Sequence, residues 1–159
     1  MAANQNGIDG VDPRTGGYAA LMLRMILGAL FIAHLYWKFA ILKGGIDGWW
    51  QGLLHNGYPW FVPYYVISVE FAGALLLIPG IYPRLVALYA IPMMAGAAQF
   101  WLVRKGFFFT SAGGEMPTTW TLLLIAQVLL GDGAYACIKT RLPAWVPILG
   151  QQAASTGLG

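Results

Sequence analysis

Four ionisable side chains fall inside stretches of sequence that are otherwise apolar: Arg24, His34 and Lys38 in the first, Glu70 in the second. Their types define the chemistry open to them. A carboxylate beside a guanidinium or an ammonium makes an ion pair. An imidazole, which titrates near neutral pH, carries protons or donates a hydrogen bond to a ligand carbonyl, and a lysine held out of water can give up its proton. Each charge costs about 2.5–3.5 kcal/mol at the centre of a membrane helix, so such groups face a bundle interior and mark either a structural ion pair or a site.

Spacing sorts the four. Helical positions advance by about 100° per residue, which places Arg24 and Lys38 within about 40° of each other and His34 about 40° from Lys38, all on one face. With a rise of about 1.5 Å per residue, Arg24 lies about 9 Å inside one end of its stretch, and Glu70 lies about 12 Å above Ile78 at the same end of the next. The matching heights predict a structural buried ion pair, Arg24 with Glu70, between the first two helices. Polar links of this kind contribute about 1 kcal/mol net. His34 and Lys38 approach the far interface, where Gln99, about 22 Å up a third helix, reaches a similar height. These three are the ligand-binding candidates, and no residue is assigned as catalytic. The plainer alternatives are that His34 bonds a backbone carbonyl or water and that Lys38 snorkels to the interface. Asp132, between Gly131 and Gly133, reads as an interfacial helix-end residue.

The elements that must position these groups follow from composition. Of 159 residues, 58% are hydrophobic and 9% charged, with mean hydropathy +0.64, which marks an integral membrane protein rather than a soluble domain. The fold class is all-α: a four-transmembrane-helix bundle with spans at residues 18–41, 63–78, 84–103 and 118–138. A span needs about 20 residues, so the second is short. Residues 79–83 leave room only for a tight hairpin, which makes the second and third spans antiparallel neighbours. The connections at residues 42–62 and 104–117 are long and rich in aromatic residues, among them Trp49, Trp50, Tyr58, Trp60 and Phe107 to Phe109, as suits the headgroup region. Both fall on one side, where they can fold over the bundle mouth.

Orientation rests on loop cations, four on the side of both termini (Arg14, Arg84, Lys139, Arg141) against three on the other (Lys43, Arg104, Lys105). That bias favours cytoplasmic termini and long loops on the non-cytoplasmic side. Residues 1–17 form a polar head, 18–138 the membrane domain, and 139–159 an interfacial segment and tail, with residues 145–149 lying on the surface. The head lacks the basic start of a secretory signal, so the first span is expected to stay attached. One cysteine, Cys137, and two histidines supply no metal site, and His55 is poorly placed to be a second haem ligand. The scattered cations are a poor footprint for nucleic acid.

A pattern then joins these residues: Arg24, Gly28 and His34-x-x-x-Lys38, then Gly57-x-Pro59, Glu70-x-x-Gly73, Leu75 to Gly80, and Arg84, followed by Gly106-Phe107-Phe108 and the turn at Gly113 to Glu115. It resembles the DoxX family of small four-helix bacterial membrane proteins over about residues 21–133, and departs from it at Leu35 and around Asp132. The family takes its name from the membrane component of a thiosulfate:quinone oxidoreductase. The resemblance implies a bacterial inner-membrane subunit serving quinone-linked redox chemistry, with no covalently bound cofactor. On that reading Arg24 and Glu70 shape the interior, while His34 and Lys38 meet a quinone or a small oxyanion. A non-catalytic accessory subunit, its lipid-facing side packed on other membrane protein subunits of a larger complex, is the alternative.

Overall fold

A computed structural model describes residues 13–140. Most of the polar head, the tail and the surface segment expected at residues 145–149 lie outside the described residues. Helix α1 (Pro13–Tyr36) runs directly into a π-helical turn, Trp37–Ile41, and is followed by α2 (Gly45–His55), α3 (Val62–Leu76), α4 (Pro83–Lys105), a 3-10 turn at Phe109–Ser111 and α5 (Glu115–Leu130). Pro63 and Pro83 sit in the first turns of α3 and α4, where a missing N–H leaves no bond unmade.

The four long helices pack as a ring, α1 on α3, α3 on α4, α4 on α5 and α5 back on α1. Leu27, Phe31, Val69, Leu77, Ala87, Ala90 and Leu124 fill its interior. The outer face is just as apolar, with Met22, Ile32, Leu75, Leu88, Leu122 and Leu129 all exposed, whereas Arg24, Lys38, Glu70, Arg84 and Gln127 are buried. Polar groups inside and apolar groups outside is the arrangement that lipid favours and water penalises. The stretch Thr15–Ile41 and the helix Pro83–Lys105 are long and apolar enough to cross a membrane. Helices α3 and α5 are apolar but only 15 and 16 residues long, about 22–24 Å by helical rise.

Three boundaries differ from expectation. The connection at residues 42–62 contains a helix, α2, whose Ile46, Trp49, Trp50, Leu53 and Leu54 are half-buried while Asp47, Gly48, Gln51 and His55 are exposed. That spacing makes one apolar stripe along a surface helix. At the other end, α5 stops at Leu130 instead of continuing to Ile138, because Gly131 and Gly133 take φ of 93° and 80°, which turns the chain back. And α1 begins at Pro13, inside what reads as polar head.

Residues 131–140 close the bundle end that holds the α3–α4 hairpin. Ala134 N–H donates to the Gly17 carbonyl at 2.8 Å, Ile138 N–H to Gly80 at 3.1 Å, and Tyr82 N–H to Ile138 at 2.9 Å. The Asp132 carboxylate accepts from the Thr140 N–H at 2.8 Å and hydroxyl at 2.7 Å, so Asp132 ties this segment into a loop rather than ending a helix. Gly80, at φ 73°, is required here. A Cβ on it would lie 2.8 Å from Ala136 Cα and 2.5 Å from the Arg24 guanidinium.

Candidate functional site

Small residues bring α1 and α3 close together. A Cβ added to Gly73 would run into the Phe31 ring, and one on Gly28 would come within 2.6 Å of Ile78. These contacts fix the register of the antiparallel pair, with Gly28 beside Ile78, Phe31 beside Gly73, and the π-helical turn beside Glu70. That turn is closed by the Leu42 N–H on the Trp37 carbonyl at 2.8 Å. An inserted residue of this kind swings the following side chains around the axis and is common where a helix carries function.

Lys38 lies in this turn, and its Nζ donates to Glu70 Oε1 at 2.5 Å. Both side chains are almost fully enclosed, 4% and 3% exposed. The Trp49 ring of α2 covers the ammonium from the other side, 3.9 Å from Nζ to the ring centroid, a cation–π contact out of bulk water. Glu70 Oε2 is buried and accepts no hydrogen bond among the described residues. A carboxylate normally fills more of its acceptor capacity, so this oxygen is where a proton or a ligand donor would be held.

The expected Arg24–Glu70 pair does not form. Arg24 is 1% exposed, and its Nη1 and Nη2 donate to the carbonyls of Asp132 and Ala134, each at 2.8 Å. Equal heights for Arg24 and Glu70 require Ile78 to stand level with the start of the first span. Instead Ile78 packs beside Gly28, ten residues further along from Tyr18 and about 15 Å higher. Glu70 is carried up by the same amount, past Arg24 and on to Lys38. Arg24 and Lys38 both point inward, as expected, but His34, expected on the same face, is exposed.

His34, one turn before Lys38, is exposed, with its ring edge-on to Trp120 of α5 at a centroid distance of 4.8 Å. Gln99 is exposed and lines a groove between α4 and α5 that includes neither His34 nor Lys38. Lys38 is thus brought to Glu70, and Gln99 stands apart. Sequence reading missed Trp49 as the cover of Lys38. The signal was present in the helical spacing of Ile46, Trp49, Trp50 and Leu53, but Gly48 and Gly52 gave that stretch the composition of a loop.

Comparison with curated proteins and with solved structures finds no match. Residues 19–105 match the DoxX family, a stretch that takes in most of α1, all of α2, α3 and α4, and both members of the Lys38–Glu70 pair. More than half of the 159 residues fall inside that match, and the chain is a member of the DoxX family.

Proposed function

We propose that this chain is a multi-pass subunit of the bacterial inner membrane, serving quinone-linked redox chemistry, with the Lys38–Glu70 pair as its polar centre. In this reading all four long helices cross the bilayer, both termini are cytoplasmic, and α2 lies on the outer surface. The observation that carries it is the enclosed pair with one carboxylate oxygen unfilled, in a bundle whose other face is made for lipid. A quinone, when bound, accepts electrons and protons at its carbonyl oxygens. The chain's own part would be limited: Lys38 Nζ would hold and orient a carbonyl oxygen, Glu70 Oε2 would hold a proton, and Trp49 would keep water from the ammonium. Access runs past α2, whose apolar stripe rests on Trp37–Ile41 and α3.

A second reading has its own support. The pair is closed by Trp49, and the open grooves lie elsewhere, one between α4 and α5 and one between α4 and the α2–α3 connection. A latch between α1 and α3 in a non-catalytic accessory subunit needs no more than that. Extraction of the protein purified in mild detergent separates the two. Redox service predicts quinone at close to one per chain, lost in a Lys38→Met, Glu70→Gln double variant that still assembles. A stable large complex free of quinone would establish the accessory role instead.

A further inference from the structure

Two grooves on the outer surface of the bundle share a wall. The first, about 400 Å³, lies between α4 and α5 and is lined by Ala95, Ala98, Leu102, Val103, Thr118 and Leu122 together with Gln99. The second, about 310 Å³, continues from Gln99 and Val103 to Asn56, Tyr58, Phe100 and Arg104. Volumes of this order are those of small-molecule sites. The chemistry changes along the joined trough: a floor of small alanines inside the apolar belt, then an amide, a phenol and a guanidinium where α4 ends at Lys105. From Ala95 to Arg104 the helix rises about 14 Å, a span suited to much of one acyl chain.

Arg104 is held in place without being neutralised. Its guanidinium lies over the Phe100 ring, 3.7 Å to the centroid, and Phe100 in turn packs on Tyr58 at 5.8 Å. Among the described residues no carboxylate pairs with it. Deeper in the trough wall, the Thr118 hydroxyl is buried and has no hydrogen-bond partner among the described residues. A rigid cation beside two further polar side chains, at the end of an apolar channel open to lipid, is complementary to an anionic headgroup with its tail attached.

We propose that this trough binds an anionic phospholipid of the bilayer, one acyl chain lying between α4 and α5 and the phosphate held by Arg104 with Asn56 and Tyr58. The site is separate from the Lys38–Glu70 pair and does not depend on its function. It gives the subunit a lipid preference rather than a substrate.

Native mass spectrometry of the full chain, in detergent supplemented with dioleoylphosphatidylglycerol or dioleoylphosphatidylcholine, tests it. The wild-type protein is expected to retain the glycerol lipid about fivefold better, the factor expected for one basic residue at a lipid surface, about 1 kcal/mol. Arg104→Gln should bring the two lipids level, Arg104→Lys should keep part of the preference, and Ala95→Trp should weaken both by filling the apolar end. Circular dichroism confirms that each variant keeps its helices. Equal retention of both lipids by the wild type, or a preference that survives Arg104→Gln, overturns the proposal. So does retention unaffected by Ala95→Trp.

Discussion

Lys38 and Glu70 neutralise each other where neither can reach water, and removing one leaves the other as a lone buried charge. In soluble proteins that costs about 3–5 kcal/mol, whereas replacing both partners by apolar or neutral groups costs far less. In a bilayer the unfolded reference also finds polar partners, so the expected loss is smaller, about 2 kcal/mol for Lys38→Met or for Glu70→Gln. The double variant should recover at least about 1 kcal/mol of the summed loss, the sign of direct contact. Arg24→Met combined with Glu70→Gln should instead add within about 0.5 kcal/mol, because Arg24 spends its donors on the carbonyls of Asp132 and Ala134. Reversible unfolding in mixed micelles measures both cycles. Coupling of Glu70 to Arg24 rather than to Lys38 would mean that α1 and α3 pair in a different register. At this scale the inward direction of Arg24, Lys38 and Glu70 was legible from their apolar surroundings, whereas His34, expected on the same face, is exposed and Arg84, read as a loop cation, is buried. The partner of Glu70 was misassigned, because height depends on where the neighbouring helix ends, and nothing in residues 63–78 states that.

Helix α3 owes its position to glycine rather than to charge. The Phe31 ring occupies the place where a side chain at Gly73 would stand, so α1 and α3 approach more closely than two larger surfaces allow. Gly73→Ala forces either the ring or the helix aside and should destabilise the bundle by about 1–3 kcal/mol, in the range of core overpacking. Pairing it with Phe31→Leu, which vacates part of that space, should restore some of the loss. A thermal-melt series followed by intrinsic fluorescence reads this out. If Gly73→Ala melts with the wild type, the close approach is not what holds the pair in register. Elements were legible to differing degrees. The apolar runs that became α1, α3 and α4 have no competing reading, and their ends fall within a few residues of expectation apart from the start of α1. Helix α2 was hidden by its glycines, and the end of α5 by a run of hydrophobic residues, Tyr135 to Ile138, that looks helical in composition. There, positive φ at Gly131 and Gly133 and the bonds of residues 132–140 to Gly17, Pro79 and Gly80 override it.

For the molecule as a whole, the unequal helix lengths settle into one shape. The stretch Thr15–Ile41 is 27 residues long, about 40 Å by helical rise, yet the α3–α4 hairpin reaches only to the level of Arg24 and Gly28. Residues 131–140 occupy the space left below it. Non-helical backbone at such a depth persists only where protein supplies its hydrogen bonds, and Arg24, the first turns of α1 and the hairpin supply them here. At the opposite end Tyr58 meets Phe100, so the α2–α3 and α4–α5 connections share that end. A four-span subunit must therefore expose its two ends to opposite sides of the membrane. Cys137 is the only cysteine in the chain and is exposed at the hairpin end. Ser111 is exposed in the 3-10 turn at the other. In intact cells a membrane-impermeant maleimide should leave Cys137 unlabelled until the membrane is permeabilised, and should label Ser111→Cys in a Cys137→Ser background without permeabilisation. The reverse pattern would keep the four-span bundle and invert its orientation, which is a live outcome since Arg84, one of the four cations counted on the side of the termini, is buried in α4. Labelling of both positions from the same side would refute it outright, since α5, at 16 residues and the one described helix between them, would then not be crossing the bilayer.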